Sequence, residues 1–281
     1  MNGTARRRRA GLVLVATAVL TACTGSAEEK REERGSARPP LAALRVAERA
    51  TAAAHSVGVE STTVMGAELS IEADGVLGWR DDLVGSLTIT YTGGTTAEAM
   101  RRLGVTSMQA RYLPDAYYAR MGDTFAARAG GKHWIRYDYD DLADLGDGRG
   151  ATFAEQMRGS TPSQSVKLLL HSKDVREVGE ETVDGRPTTH YSGTVPVGDV
   201  TDAALRDRLQ QAGVIEQSVD IWVDDRNLLV KKVERGTMAT GELTQTAHYS
   251  DYGVRVSVRK PPARDTEDFK DLLRRQGGTA S

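Results

Sequence analysis

Between Val57 and Val258 run after run of residues alternates apolar with polar side chains, the period of two that a chain shows when it builds a sheet with one buried face. Val57 and Val59 begin it. Leu69, Ile71 and Ala73 continue it, and Leu83, Gly85, Leu87, Ile89 and Tyr91 stand against Val84, Ser86, Thr88 and Thr90. The same pattern or a short β-rich run marks strands over 107–113, 116–121, 132–137, 175–182, 188–195, 218–223, 228–237, 243–249 and 254–258. Pro114-Asp115, Asp184-Gly185 and Asp225-Arg226-Asn227 supply hairpin tips, and Ala73-Asp74-Gly75 and Arg80-Asp81-Asp82 are expected to be turns or a bulge. That makes about ten or eleven strands, mostly in sequential hairpins.

Helical spacing occurs where the alternation stops. Leu41, Leu44, Val46 and Ala47 recur among alanines from Leu41 to His55, and shorter helical segments are expected over 96–103, 138–145, 151–158, 162–172, 203–212 and 266–275. Asp138 is placed to cap the third of these, Pro162 to open the fifth, and Gly213 to stop the sixth. Strand runs with helices grouped between the two halves indicate an α+β fold with a large antiparallel sheet, not the alternating βαβ of a nucleotide-binding protein.

Ahead of this domain stands a leader. Arg6 to Arg9 precede an apolar run from Gly11 to Leu20, and Leu20-Thr21-Ala22-Cys23 follows. A basic head, an apolar middle about ten residues long and small residues before a cut site make a secretory signal, too short to span a bilayer as a helix. The four residues ending in Cys23 resemble the bacterial lipobox, in which the peptide is cut before a cysteine whose sulfur carries diacylglycerol. Cys23 is the chain's single cysteine, so lipidation at that position leaves no thiol for a disulfide and the fold must stand on its core. The expected organisation is therefore residues 1–22 as signal peptide, 23–40 as lipidated cysteine and tether, and 41–281 as one domain. The tether TGSAEEKREERGSARPP is charged and closed by Pro39-Pro40, so it cannot bury enough surface to fold. Two acyl chains on Cys23 hold such a protein on the extracytoplasmic face of the cell membrane, each buried methylene contributing about 0.8 kcal/mol. Arg6 to Arg9 leave Sec and twin-arginine export both open.

Once the leader and its four arginines are gone, 33 basic side chains face 39 acidic ones, a formal charge of −6. No basic stripe interleaved with aromatics appears, which argues against nucleic acid as a partner. Enzyme patterns fail on spacing. His55, His133, His171, His190 and His248 are scattered, HExxH and G-x-S-x-G are absent, and Ser257-Val258-Arg259-Lys260 matches S-x-x-K at a strand end, where a catalytic serine does not sit. The run Asp138, Asp140, Asp141, Asp144, Asp147 lacks the calcium-loop pattern, because Leu142 and Ala143 stand where a ligand and a glycine are needed. No catalytic residue, metal site or cofactor is expected.

Several of these features together resemble the actinobacterial LppX/LprAFG lipoproteins, similar in architecture to LolA, LolB and RseB. They are the lipobox with its tether, the alanine-rich helix before the first strand, His133-Trp134-Ile135-Arg136-Tyr137-Asp138, and above all Ile221-Trp222-Val223-Asp224-Asp225 followed by Leu228-Leu229-Val230-Lys231-Lys232-Val233-Glu234. The resemblance runs from about Leu41 to Val258 in order of elements. It implies a curved, half-open β-barrel whose concave face is covered by helices around an apolar cavity. The implied role is binding of a lipid or lipidated glycan and its carriage across the cell envelope, with a membrane transporter as a further partner. A sensor or interaction lipoprotein regulating a membrane-protein partner, as in RseB, is the alternative. Leu69, Ile71, Leu87, Ile89, Val219, Ile221 and Val223 fall on one side of their strands and are the candidates for lining the cavity; for any one of them packed core is the commoner role. The loop from Asp144 to Gly150 and the break at Gly159-Ser160-Thr161 are the expected hinges.

Overall fold

Two antiparallel meanders, laid down one after the other, share a single sheet. The computed structural model describes residues 39–128, 130–144, 149–158, 160–211, 213–238 and 241–278; the leader, Cys23 and all but the end of the tether lie outside the described residues, as do Gly159 and the 145–148 part of the expected hinge loop. The first meander is β1 (Ser56–Met65), β2 (Leu69–Gly78), β3 (Val84–Gly93), β4 (Ser107–Tyr112), β5 (Ala116–Arg120) and β6 (Trp134–Asp138). The second is β7 (Arg176–Val183), β8 (Arg186–Pro196), β9 (Val214–Asp224), β10 (Leu229–Met238) and β11 (Gly241–Ser250), and it runs back so that β11 pairs with β1. A last strand, β12 (Thr266–Asp268), joins β6 in the sheet's parallel pairing. The order is β12-β6-β5-β4-β3-β2-β1-β11-β10-β9-β8-β7, an open sheet of twelve strands.

Turn chemistry fixes the hairpins. Asp184 and Gly185 both take positive φ, 50° and 75°, the conformation that matches the twist of the flanking strands. At the β9–β10 tip the Asp224 carboxylate accepts from the N–H groups of Arg226 and Leu228, at 3.0 and 2.8 Å, and Asn227 takes φ 62°. Asp184-Gly185 and Asp225 to Asn227 are thus turns, as read from the sequence. Ala73-Asp74-Gly75 is neither a turn nor a bulge: it lies inside β2 in unbroken register with β1 and β3, where a Cβ on Gly75 would meet Ser86 O at 2.1 Å. The glycine is there because β3 passes too close for a side chain.

Helices fill the connections. α1 (Pro40–Ala53) precedes the sheet, α2 (Gly94–Arg102) links β3 to β4, and α3 (Asp123–Arg128) links β5 to β6. Between the meanders come α4 (Tyr139–Ala143), α5 (Arg149–Arg158) and α6 (Ser163–Leu169); α7 (Ala203–Gln211) links β8 to β9. Asp138 caps α4, accepting from the N–H groups of Asp140 and Asp141 at 3.0 and 3.1 Å. Two expectations at the end of the chain are corrected. Residues 254–258 pair with no strand, and the last helix, α8 (Phe269–Gly278), starts three residues later than its pattern, because Thr266 to Asp268 extend along β6 instead. No helix among the described residues is long and apolar enough to cross a membrane.

The core lies on the face of the sheet that α1 and α6 cover. Leu44 and Ala47 of α1 and Val166, Leu168 and Leu169 of α6 pack there with Val57, Leu77, Val195, Val219, Ile221 and Leu229 of the strands. Three smaller apolar clusters complete the packing, one of them Val183, Trp222, Val230 and Val233 on the opposite face.

Candidate functional site

Alternate residues of a strand face the same way, so the registers define the helix-covered inner face residue by residue. Leu87 and Ile89 on β3 and Val219, Ile221 and Val223 on β9 are all buried in the main core, Val219 and Ile221 with no exposed surface. Ile71 packs against the same core while half-buried. Leu69 shares their face but not their cluster: it pairs with Met65 beside the β1–β2 turn, at the rim of the sheet. Six of the seven candidates are thus brought together, and around β9 they are closely packed, where α6 lies so near the sheet that a Cβ on Gly193 would meet Leu169 Cδ1 at 2.9 Å.

The other half of the inner face is aromatic, which the candidate set did not include. Tyr117 meets Tyr112 edge-on at 5.2 Å between ring centroids, Tyr137 at 5.8 Å and Phe153 of α5 at 6.0 Å, and Tyr137 lies 4.7 Å from Phe269 of α8. Burial pushes the Tyr112 and Tyr137 phenols up to about 12 and the Tyr117 phenol well above the usual phenol range, so all three stay neutral. The signal was present in the alternation, since register pairs Tyr112 with Tyr117 and Tyr117 with Tyr137. It was spread over three short strands.

A cleft of about 340 Å3 opens where α6 begins. Thr161, Ser163 and Lys167 form one wall, Ala52 at the end of α1 another, and the β2–β3 and β4–β5 connections supply Trp79, Leu83, Leu113 and Pro114, with Asp81 and Asp82 at the rim. Trp79 is held in place by its indole N–H, which donates to Ala52 O at 2.9 Å. The floor continues into the core, because Leu83 belongs to it and Trp79 packs against it.

One row on the inner face is polar. Lys232 and Glu234 of β10 form an ion pair at 3.2 Å, with 12% and 13% of their side chains exposed. Lys232 also donates to Gln245 Oε1 at 2.8 Å, and the Gln245 amide reaches Thr63 Oγ1 at 3.4 Å. The histidines do not gather. His133 binds Asp265, His190 lies between Glu181 and Asp220, His248 binds Asp184, and His171 binds Thr201. No group of three or more residues able to hold a metal occurs among the described residues.

Comparison with known proteins follows the same lines. No protein-family model matches the chain. The crystal structure of the Mycobacterium tuberculosis lipoprotein LppX superposes with a TM-score of 0.51 at 17% identity, covering 80% of this chain and 100% of LppX. The fold is therefore that of the LppX-like half-barrels, an open sheet with helices over one face. In sequence the chain is 59% identical over 300 residues to "Putative lipoprotein SCO4650" of Streptomyces coelicolor, covering 99% of this chain and 100% of that protein. It is also 51% identical over 251 residues to the "Uncharacterized 31.2 kDa protein in rplA-rplJ intergenic region" of Streptomyces griseus, with 85% and 82% coverage. The chain belongs to the actinobacterial lipoprotein family that these Streptomyces relatives represent.

Proposed function

We propose that this protein is exported, cut before Cys23 and lipidated there, and that on the extracytoplasmic face of the membrane its domain takes up the apolar part of a lipid between the sheet and α5–α6, carrying it within the envelope. The observation that carries this reading is the cleft beside the start of α6. Its volume is within the ~300–1,000 Å3 typical of ligand pockets. Its lining mixes the apolar Trp79, Leu83 and Leu113 with the charged Asp81, Asp82 and Lys167. The floor runs into the packed inner face, so uptake beyond the cleft needs α6 to shift from the sheet. That helix is short, seven residues, and is joined to α5 through Ser160 and Thr161. The single cysteine at the lipobox supports the anchor.

Two measurements test the reading together. Protein purified from its host should release lipid into organic extracts, identified by mass spectrometry, and Thr161→Trp, which fills the cleft from its wall, should reduce that lipid several-fold without unfolding the domain. Labelled palmitate should mark the native chain and not Cys23→Ser. Extracts without lipid, or equal lipid in the Trp variant, would remove the case for a carrier.

A further inference from the structure

The run Leu229-Val230-Lys231-Lys232-Val233-Glu234, read as a simple alternation from the buried Leu229, turns Lys231 and Val233 inward. A bulge overturns this. Leu229 pairs with Val223, but Lys231 pairs with Trp222, so the residues after the bulge change faces. Val233 packs on the outer side with Trp222, while Lys232 and Glu234 stand on the inner face opposite Ile221 and Val219. An ion pair is thereby set among the apolar residues of the helix-covered face.

Stability does not explain the arrangement. Removing two charges from water costs about as much as their attraction returns, and apolar residues of the same volume pack there at least as well. A second observation lies beside it. Gln217, one inward position along β9 from Val219, is 3% exposed, and its Oε1 is buried with no hydrogen-bond partner. A buried acceptor left unpaired is a cost that a donor from outside the protein removes. The inner-face residues Ser61, Thr63, Ile71 and Ala73 of β1 and β2 are only half-buried, and Thr63 is joined to Lys232 through Gln245, so the row is open at its Lys232 side, while Gln217 lies deeper, on β9.

Resting on the lipid reading above, we infer that Lys232, Glu234 and Gln217 form a polar seat for the uncharged hydroxyl groups of the ligand and discriminate against an ionised group. The chemistry follows from the charges. An anion drawn to the Lys232 ammonium meets the Glu234 carboxylate 3.2 Å from it. A hydroxyl meets no such penalty: it accepts from Lys232 and donates to Glu234, and a neighbouring hydroxyl of the same head group donates to Gln217 Oε1, one inward position further along β9. Lys232 has three N–H donors, of which Gln245 and Glu234 engage two.

The test uses the whole mature chain carrying Cys23→Ser, with a fluorescent monoacylglycerol and the fatty acid of the same acyl chain as probes, titrated at pH 8. The native seat should prefer the monoacylglycerol by about tenfold or more. Glu234→Gln should raise fatty-acid affinity by about tenfold, because Lys232 then faces no carboxylate, and Gln217→Leu should weaken monoacylglycerol alone. Lys232→Met with Glu234→Leu, which keeps the face packed if the single variant does not fold, should weaken monoacylglycerol about tenfold and leave only the smaller preference that Gln217 supplies. Equal binding of both probes by the native chain, or a preference unchanged in the variants, overturns the seat and leaves the carrier reading standing. Binding of neither probe overturns the carrier reading and the seat with it.

Discussion

The hydroxyl of Thr51 is fully buried at the end of α1 and accepts the backbone N–H of Leu229 at 3.1 Å, joining the first helix to the tenth strand across 178 residues of sequence. Leu229 itself has no exposed surface, and its carbonyl accepts from Tyr252 Oη at 2.6 Å. Nothing in an alanine-rich helix marks one threonine as such a tie. Thr51→Ala should leave a buried N–H without a partner and cost about 1–3 kcal/mol in urea unfolding, while Thr51→Ser should retain most of the stability. The same helix shows where sequence reading at this scale succeeds and where it slips. Leu44 and Ala47 are buried, as their spacing requires, but Leu41 is 41% exposed, because the buried stripe runs on through Thr51. A hydroxyl that is satisfied by a distant N–H behaves as core, and only the fold supplies that N–H.

At the scale of elements, α6 is the piece on which the binding proposal turns, and its closeness to the sheet depends on the missing side chain of Gly193. A Cβ at that position would lie 2.6 Å from Ser172 Oγ and 2.9 Å from Leu169 Cδ1. Gly193→Leu should therefore push the end of α6 outward and cost about 1–3 kcal/mol of stability, measured by thermal or urea unfolding. If α6 is the cover of the site, the same variant should take up a fluorescent lipid faster. Most elements were legible from local pattern. The Asp184-Gly185 turn, the Asp138 cap and the strands of the second meander depend on neighbours a few residues away. The failures came where a distant segment decides the conformation. Residues 254–258 alternate like a strand, but no strand pairs with them; the segment is held at its start by Ser56 Oγ, which donates to Val254 O at 2.7 Å, and just past its end by Arg111, which donates to Arg259 O at 2.8 Å. Thr266 to Asp268 carry a helical pattern, yet β6 offers an unpaired edge and they extend along it.

Across the whole molecule, the C-terminal segment returns to the first meander and to the α4 helix that follows it, and is held there by ion pairs of long sequence separation. Asp265 binds His133, Glu267 binds Lys132, Asp268 binds Arg136, Lys260 binds Asp115 and Lys270 binds Asp141. The His133 ring and then its backbone N–H hold the Asp265 carboxyl below the usual carboxylate range, and the Lys260 hydrogen bond does the same for Asp115. A carboxylate whose pKa is lowered by folding contributes stability that is fully present above its unfolded value, about 4, and fades as pH falls through the folded one. Asp265→Asn should thus melt below the native protein at pH 7, and the two melting temperatures should converge as pH falls below the unfolded value and on through the lowered folded one. Both partners are partly exposed, so added salt should narrow the gap at pH 7. The sequence by itself determined the α+β class, most of the strands and helices, and the inward-facing side of the apolar residues from Ile71 to Val223, because each rests on period, turn chemistry or composition within a short window. Only the tertiary structure decided that the second meander closes back on β1, that the tyrosines of β4, β5 and β6 share one face, and that the start of α6 forms a wall of a cleft. It also decided which way the charges of β10 point, since a bulge set by pairing with β9 turns Lys232 and Glu234 inward, and no local pattern records a register that a partner strand imposes.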